Sequence, residues 1–272
     1  MEQYIKEYIL KAWGSTVDMF PGPQPVSIER KHMHLLKENL YCIFEKTDGV
    51  RHLLVCVQFG QKKVCALVDR LFKIRQIRAA IPVNTLLDGE LMNDTYHIYD
   101  AMVVDGENVM NEYLNKRLQK AQSVLKGPSM GIRMTVKRMR FLCDFEELIK
   151  ETSGNPNIDG FIFTPIKEPV RMGTHETLFK WKPLERITID FLCKENGLYI
   201  WDKRIGFIKV QNFTASEHED GKILECKMEG GHWQFVKVRD DKDHPNNRRT
   251  YLRTLVNIRE CIDIKEFSAL IV

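Results

Sequence analysis

Over residues 2–13 apolar side chains return every three or four positions, which puts Tyr4, Ile5, Tyr8, Ile9 and Ala12 on one side of a helix. The stretch Phe20-Pro21-Gly22-Pro23-Gln24-Pro25 ends that period, because proline fixes φ and removes a backbone donor, and reads as an extended connector. From there the pattern turns to short apolar runs. Residues 41–45 and 50–59 predict two strands flanking a Lys46-Thr47-Asp48-Gly49 turn, and further strands fall at 63–69, 85–91, 95–104, 160–164 and 177–182. A helix fits 112–125, with Tyr113, Leu114, Leu118, Ala121 and Leu125 on one side, and another fits 144–151, with Asp144 as its N-cap.

After Pro183 the texture changes. Five strand-like runs, 187–193, 197–202, 205–213, 222–228 and 232–238, follow one another with Gly and Asn/Asp turns between them. Five short strands at that spacing suit a small closed barrel such as an OB-fold. A helical stretch over 246–260 and a short last helix over 264–271 complete the chain. The break near residue 185 divides a first domain, 1–185, from a barrel domain, 186–260. Residues 261–272 are expected to pack back on the first domain.

Composition sharpens this picture in three ways. With 272 residues, 43% of them hydrophobic, 10% aromatic and 29% charged, the chain can bury a sizeable core and is not a disordered one. A net charge of +4 is too mild to announce a nucleic-acid binder, but basic residues cluster at 62–78, at 126–140 and at 237–253, where they would attract phosphates as well as line ordinary solvated faces. The seven cysteines include no C-x-x-C pair, which fits reduced thiols better than a disulfide framework or a zinc site, and His32 and His34 have no neighbouring Cys. No apolar run approaches the ~20 residues that cross a bilayer, and the N-terminus does not read as a leader. The expectation is a soluble, intracellular protein with no membrane partner.

The candidate chemistry begins at Glu45-Lys46-Thr47-Asp48-Gly49-Val50-Arg51. On an extended segment Lys46 and Asp48 point to one side, and Gly49 lets a ligand or backbone come close. A lysine attacks only when neutral; at an ordinary pKa of ~10.4 about 4 in 10,000 are neutral at pH 7, so a nucleophilic Lys46 requires nearby cations or burial. Four further segments follow in order: Leu87-Asp88-Gly89-Glu90, Tyr96-His97-Ile98-Tyr99-Asp100, Ile158-Asp159-Gly160-Phe161, and Leu178-Phe179-Lys180-Trp181-Lys182-Pro183. Glu90 and Asp159 each set a carboxylate at the end of a strand. Lys180 and Lys182 share one strand face, where two ammonium groups call for an anion and would supply the positive field that Lys46 needs. Each segment also has a plain structural reading: turn carboxylates, a sheet aromatic, a solvated strand face.

Taken in order, these segments resemble the signature of the covalent nucleotidyltransferases, the superfamily of mRNA capping enzymes and polynucleotide ligases, and most of all the compact guanylyltransferases of large DNA viruses. The similarity runs from Phe20-Pro21-Gly22-Pro23 and Pro25-Val26-Ser27-Ile28-Glu29-Arg30 through Lys46 to Arg239-Asp240-Asp241-Lys242 and the C-terminal helix. It is weakest over 106–158, where only Lys137 matches. The resemblance implies an α+β fold: a nucleotidyltransferase domain of antiparallel sheets flanked by helices, plus a C-terminal OB-fold barrel.

It also implies roles. Lys46 would attack the α-phosphate of GTP and carry GMP as a phosphoramidate. Arg51 and Glu90 would hold the ribose, with Arg70 near ribose or phosphate. Tyr99 would stack on guanine and Lys137 would bond its edge. Lys180 and Lys182 would contact the α-phosphate, and Asp159 would help hold Mg²⁺ or Mn²⁺. Arg239, Asp241 and Lys242 would close over the β- and γ-phosphates. The acceptor would be the 5′-diphosphate end of RNA, giving the GpppN cap. The enzyme would work as a monomer in host cytoplasm, nucleus or virion. No phosphatase nucleophile motif or methyl-donor loop is apparent, so RNA triphosphatase and cap methyltransferase are expected on separate chains. The rival readings are an ATP-dependent DNA or RNA ligase using a lysyl-AMP intermediate, and a non-catalytic RNA-binding or scaffold subunit. The Arg239-Asp240-Asp241-Lys242 segment on a barrel directly after Pro183 favours capping over a ligase.

Overall fold

The computed structural model of the chain describes residues 1–127, 129–211, 220–240 and 242–270. In chain order these form α1 (Glu2–Ala12), β1 (Gln24–Ser27), α2 (Met33–Glu38), β2 (Tyr41–Thr47), β3 (Val50–Phe59), β4 (Lys62–Val68), β5 (Ile74–Ala79), β6 (Thr85–Met92), β7 (Thr95–Val104), β8 (Glu107–Asn108), α3 (Leu114–Ser123), β9 (Ser129–Met130), β10 (Arg133–Val136), α4 (Phe145–Thr152), β11 (Ile158–Pro165) and β12 (Thr174–Trp181). There follow β13 (Thr188–Lys194), β14 (Gly197–Asp202), β15 (Gly206–Val210), β16 (Ile223–Glu229), β17 (His232–Val238), α5 (Arg248–Glu260) and α6 (Ile264–Ser268). The fold is α+β, as expected. Two compact units arise from these elements: residues 1–26 and 34–180 with the chain from 268 onward, and Ser27–Met33 with Trp181–Phe267.

In the first unit an eight-stranded sheet runs in the order β10-β7-β6-β3-β4-β5-β9, with β8 on β7, and a four-stranded sheet in the order β1-β12-β11-β2. In the eight-stranded sheet pairing is antiparallel except between β10 and β7, and β11 pairs β2 antiparallel. The unbroken apolar run of β3 follows from its central place, since both faces of that strand are covered. Leu53, Val55 and Val57 pack with Ile5, Ile9 and Trp13 of the α1 region, whereas Leu54 and Cys56 pack with Leu67, Leu87, Tyr96 and Ile98. A third cluster joins Cys42 and Phe44 of β2 to Leu114 and Leu118 of α3 and to Ile166.

Three local readings differ from expectation. Residues 24–27 are a sheet strand, not only a connector, because the Gln24 N–H finds the Gly173 carbonyl at 2.7 Å. β5 went unread because its Arg75 and Arg78 hide an exposed strand behind charge. Asp144 precedes α4, but its carboxylate turns back to accept from the Phe141 N–H at 3.2 Å and does not cap the helix.

In the second unit β13–β17 form one antiparallel sheet in the order β15-β14-β13-β16-β17, the five-stranded element expected of an OB-fold. Among the described residues no pairing joins its edge strands. Ile189, Phe191, Leu198, Ile200, Leu224, Cys226 and Trp233 fill its inner face, with Tyr251, Leu255 and Ile258 of α5 against them. Asn247 caps α5 by accepting from the Thr250 N–H at 2.9 Å. Within the same unit Phe267 of α6 meets Trp181 edge-on at 5.8 Å, and Arg30 pairs with Glu266.

Candidate active site

The site in the first unit is built on β2, β3, β6, β7 and β11. Lys46, the last residue but one of β2, faces a bulge in β11: the pairing shifts between Ile158 opposite Thr47 and Phe161 opposite Glu45. Asp159 and Gly160 occupy that shift, and Gly160 has a φ of 149°, a conformation that favours glycine. A bulge re-aims the side chain it carries. The result is an ion pair from Lys46 Nζ to Asp159 Oδ1 at 2.9 Å, with Lys46 about a quarter exposed and Asp159 buried.

A second bulge acts the same way. On β7 the register slips between Asp100 opposite Asp88 and Ile98 opposite Gly89, so Tyr99 is the extra residue. Its hydroxyl donates to Asp88 Oδ1 at 2.9 Å. Asp100 points the other way, into a buried pair with Arg117 at 2.6 Å. Asp88 in turn accepts Arg51 Nε at 3.0 Å, and Arg51 Nη1 donates to the Pro23 carbonyl at 2.6 Å. The guanidinium lies 5.2 Å from the Phe20 ring centroid and 5.9 Å from that of Tyr99. Burial works against the charge on Arg51, but Asp88 together with Tyr99 and Tyr96 outweighs it and the pKa rises. The Phe-Pro-Gly-Pro segment thereby gains a physical reason: a Cβ on Gly22 would come within 2.5 Å of Arg51 Nη2.

Glu90 sits directly opposite Arg51 in the β3–β6 pairing and hydrogen-bonds the Thr47 hydroxyl. Gly49 is required for this approach, since a Cβ there would meet Glu90 Cγ and the Leu91 carbonyl, both at 2.7 Å. Lys137, held by its N–H on the Ile98 carbonyl just past β10, reaches back to the Glu45 carbonyl at 2.8 Å, to Thr47 Oγ1 at 3.0 Å and to Glu90 Oε2 at 3.9 Å. Burial pushes the Lys137 pKa down; Glu90 and Glu45 push it back up, and the Lys46 charge lowers it again. Arg70 lies on the exposed turn after β4, and its pKa falls, through loss of water first and then through the charge of Arg51.

Lys46, Glu90, Lys137 and Asp159 are thus brought together by direct bonds, partly through Thr47, and Arg51 and Tyr99 are joined through Asp88. Lys180 is partly buried on β12, the strand beside β11. Lys182, Arg239 and Lys242 belong to the second unit, where Arg239 pairs with Asp190 at 3.0 Å and Lys242 pairs with the other oxygen of that carboxylate. Asp241 lies outside the described residues. Lys46 forms an ion pair with the Asp159 carboxylate, and its charge is felt by Lys137.

Three participants escaped the sequence reading: Asp88, Thr47 and Asp190. Asp88 and Asp190 each stand alone within an apolar strand run, Leu86-Leu87-Asp88 and Ile189-Asp190-Phe191. That is itself a signal, because a buried carboxylate needs a cation or several donors.

This arrangement can hold a polyanion against a lysine at the end of a strand. Among the described residues no three His, Cys, Asp or Glu side chains cluster as metal ligands. Asp159 offers one carboxylate, which fits a divalent cation held mainly by phosphates.

The catalytic-domain model of the mRNA capping enzyme family matches residues 1–184, and the C-terminal-domain model of the same family matches residues 183–268. The mRNA-capping enzyme subunit alpha of Schizosaccharomyces pombe is 29% identical over 326 aligned positions, spanning 94% of this chain and 81% of that protein. The mRNA-capping enzymes of Caenorhabditis elegans and Danio rerio are 29% and 28% identical, over 88% and 84% of this chain but only 47% and 45% of theirs. The chain spans about half the length of these two animal relatives. Among solved structures, a Lig E DNA ligase aligns over 79% of this chain with a TM-score of 0.43 and 15% identity, a likeness at a level that does not bear on function. No helix among the described residues is long and apolar enough to cross a membrane.

Proposed function

This chain belongs to the mRNA capping enzyme family, and we propose from that premise that Lys46 is the residue on which its guanylyl transfer turns. A capping guanylyltransferase takes GMP from GTP onto a lysine and passes it to the 5′-diphosphate end of RNA. The observation that carries the assignment to Lys46 is its placement: strand end, bulge and carboxylate converge on one amine within the region that matches the catalytic domain.

In the first step the nitrogen lone pair attacks the α-phosphorus, the bond from phosphorus to the bridging oxygen breaks, and pyrophosphate leaves. In the second a terminal phosphate oxygen of the RNA attacks the same phosphorus, and the phosphorus–nitrogen bond breaks with the electron pair returning to Lys46. An amine held in an ion pair must first give up its proton and its hold on Asp159. The Lys137 charge favours loss of that proton, as would the Mg²⁺ or Mn²⁺ that Asp159 would help to hold; a divalent cation there would also neutralise the charge of the incoming phosphates.

The remaining assignments follow the site. Arg51 and Glu90, opposite one another, hold the ribose, with Arg70 at the rim; the hydrogen bonds of Arg51 to Asp88 and Pro23 use three of its five N–H groups. Tyr99 stacks on guanine and Lys137 reads its edge, while Lys180 and Lys182 meet the α-phosphate. Arg239, Asp241 and Lys242 take the β- and γ-phosphates, Arg239 and Lys242 on leaving Asp190. We keep the division into a nucleotidyltransferase domain, 1–185, an OB-fold domain, 186–260, and a terminal helix.

We propose kinship with the compact viral enzymes on compactness alone, which the fission yeast alignment brings out. Its 326 positions exceed the 272 residues of this chain, so the relative carries insertions within the shared region. The seven cysteines, all free, fit a reducing intracellular compartment. Triphosphatase and cap methyltransferase activities belong to separate chains in this reading. The test is incubation with α-labelled GTP or ATP and a divalent metal. Label from GTP retained on the denatured chain is the expected result; label from ATP instead favours a ligase.

A further inference from the structure

The outer face of the β14–β15 ribbon is unlike an ordinary solvated sheet face. Along β14 and β15 alternate residues point inward, and Leu198, Ile200 and Val210 are buried at 0%, 3% and 7% exposure. The opposite face presents Trp201 and Phe207, which stand directly across from one another and meet edge-to-face with centroids 4.9 Å apart. They remain 37% and 48% exposed. Two large rings left in water side by side mark a surface that something covers.

The surroundings of the rings say what kind of partner. Lys209, on the same face of β15, crosses the ribbon over Gly197, where a Cβ would meet its Cε at 2.7 Å. The turn that joins the strands carries Lys203 and Arg204, both exposed, and is pinned because Asp202 Oδ1 accepts the Arg204 N–H at 2.8 Å. Arg248, at the first turn of α5, stands 3.5 Å from Asp202 and partly neutralises it. Three cations, Lys209 on the face of the rings and Lys203 and Arg204 on the adjoining turn, match a ligand of flat bases on a negative backbone. A protein strand adding to the edge at β15 fits less well, since an edge lysine discourages such pairing. OB-folds take oligonucleotides on their second and third strands, and β14 and β15 are the second and third strands of this sheet.

We infer that this face is where the single-stranded RNA acceptor lies, its bases stacked on Trp201 and Phe207 and its phosphates along Lys209, Lys203 and Arg204. The identity of the ligand as a cap acceptor rests on the guanylyltransferase reading; its chemistry as single-stranded nucleic acid rests on the face itself. The surface bears on the second step alone, so it separates acceptor binding from adduct formation.

The test uses the full chain and a 5′-diphosphate oligouridine about twelve residues long, within the site size of an OB-fold. Trp201→Ala and Phe207→Ala are each expected to weaken binding, followed by fluorescence anisotropy, by about tenfold. The KM for this acceptor should rise in parallel while labelling by GTP is unchanged. Trp201→Phe, which keeps a stacking ring, should restore most of the affinity, and Lys209→Glu should weaken binding with a shallower salt dependence. Oligouridine binding and KM within twofold of the unsubstituted chain in all three disruptive variants would overturn the proposal and leave the face to a protein partner. If the chain binds RNA through these rings yet never takes label from GTP, the face stands and the guanylyltransferase reading falls.

Discussion

The two units hold their cations in different ways. In the first unit Arg51 and Asp88 are both buried, with side-chain exposures of 8% and 0%, and the pair is fixed by Pro23, Phe20 and Tyr99 on every side. In the second, Arg239 and Lys242 share one carboxylate, Asp190, and remain 21% and 34% exposed. Breaking a buried pair strands a charge where water cannot reach it, whereas Arg239 and Lys242 keep part of their hydration and can exchange Asp190 for another anion, at a cost set by the buried carboxylate they leave. In the proposed reading the contrast separates a scaffold from a grip: Arg51 and Asp88 would shape a pocket that exists before any ligand arrives, and Arg239 and Lys242 would be held on an internal anion that phosphates replace. Lys46 and Asp159 lie between these extremes, at 24% and 11% exposure, as suits an amine that must stay in place and still be released.

Substitutions at four positions break or sharpen this contrast, from the largest effect to the smallest. Lys46→Ala and Lys46→Arg should both abolish the labelled adduct, because a guanidinium that never loses its proton cannot attack phosphorus. Circular dichroism melts should stay near those of the parent, and residual labelling would move the nucleophile elsewhere. Asp88→Ala strands the Arg51 charge and should lower stability by about 3–5 kcal/mol in urea unfolding, a cost typical of a broken buried pair. A loss of under about 1 kcal/mol would mean that Arg51 reaches water and that the pocket is not preformed.

Arg239→Ala should slow adduct formation from GTP by about a hundredfold, the scale of losing one preorganised charged donor, and leave transfer from preformed adduct to RNA nearly unchanged. Equal losses in both steps would refute the grip on the departing pyrophosphate. Asp159→Asn keeps an acceptor for Lys46 and a matching shape, so stability should fall by only about 1 kcal/mol. Labelling should fall far more than that, and a melt shifted as strongly as that of Asp88→Ala would put Asp159 with the scaffold.

Much of this was legible in the chain, and the rest had physical reasons to be hidden. The central strands announced themselves through unbroken apolar runs, as in Leu53-Leu54-Val55-Cys56-Val57. The five short strands after Pro183 were visible from their turns. What periodicity could not supply was register. The bulges that aim Tyr99 at Asp88 and Asp159 at Lys46 each depend on one extra residue opposite a partner strand, and no local pattern encodes that. Asp190 was hidden for a related reason: its cationic partners lie 49 and 52 residues further along. Gly49 was read correctly as a point of close approach, but the approaching groups are Glu90 and the Leu91 backbone.

The central claim is that one amine, Lys46, forms the bond to GMP. The most direct measurement is to trap the adduct with unlabelled GTP, digest the chain under alkaline conditions that preserve a phosphorus–nitrogen bond, and map the modified peptide by mass spectrometry. The account predicts one GMP on the peptide that contains Lys46, lost on brief acid treatment, as a phosphoramidate should be. GMP on any other residue, or an acid-stable linkage to this peptide, would contradict it.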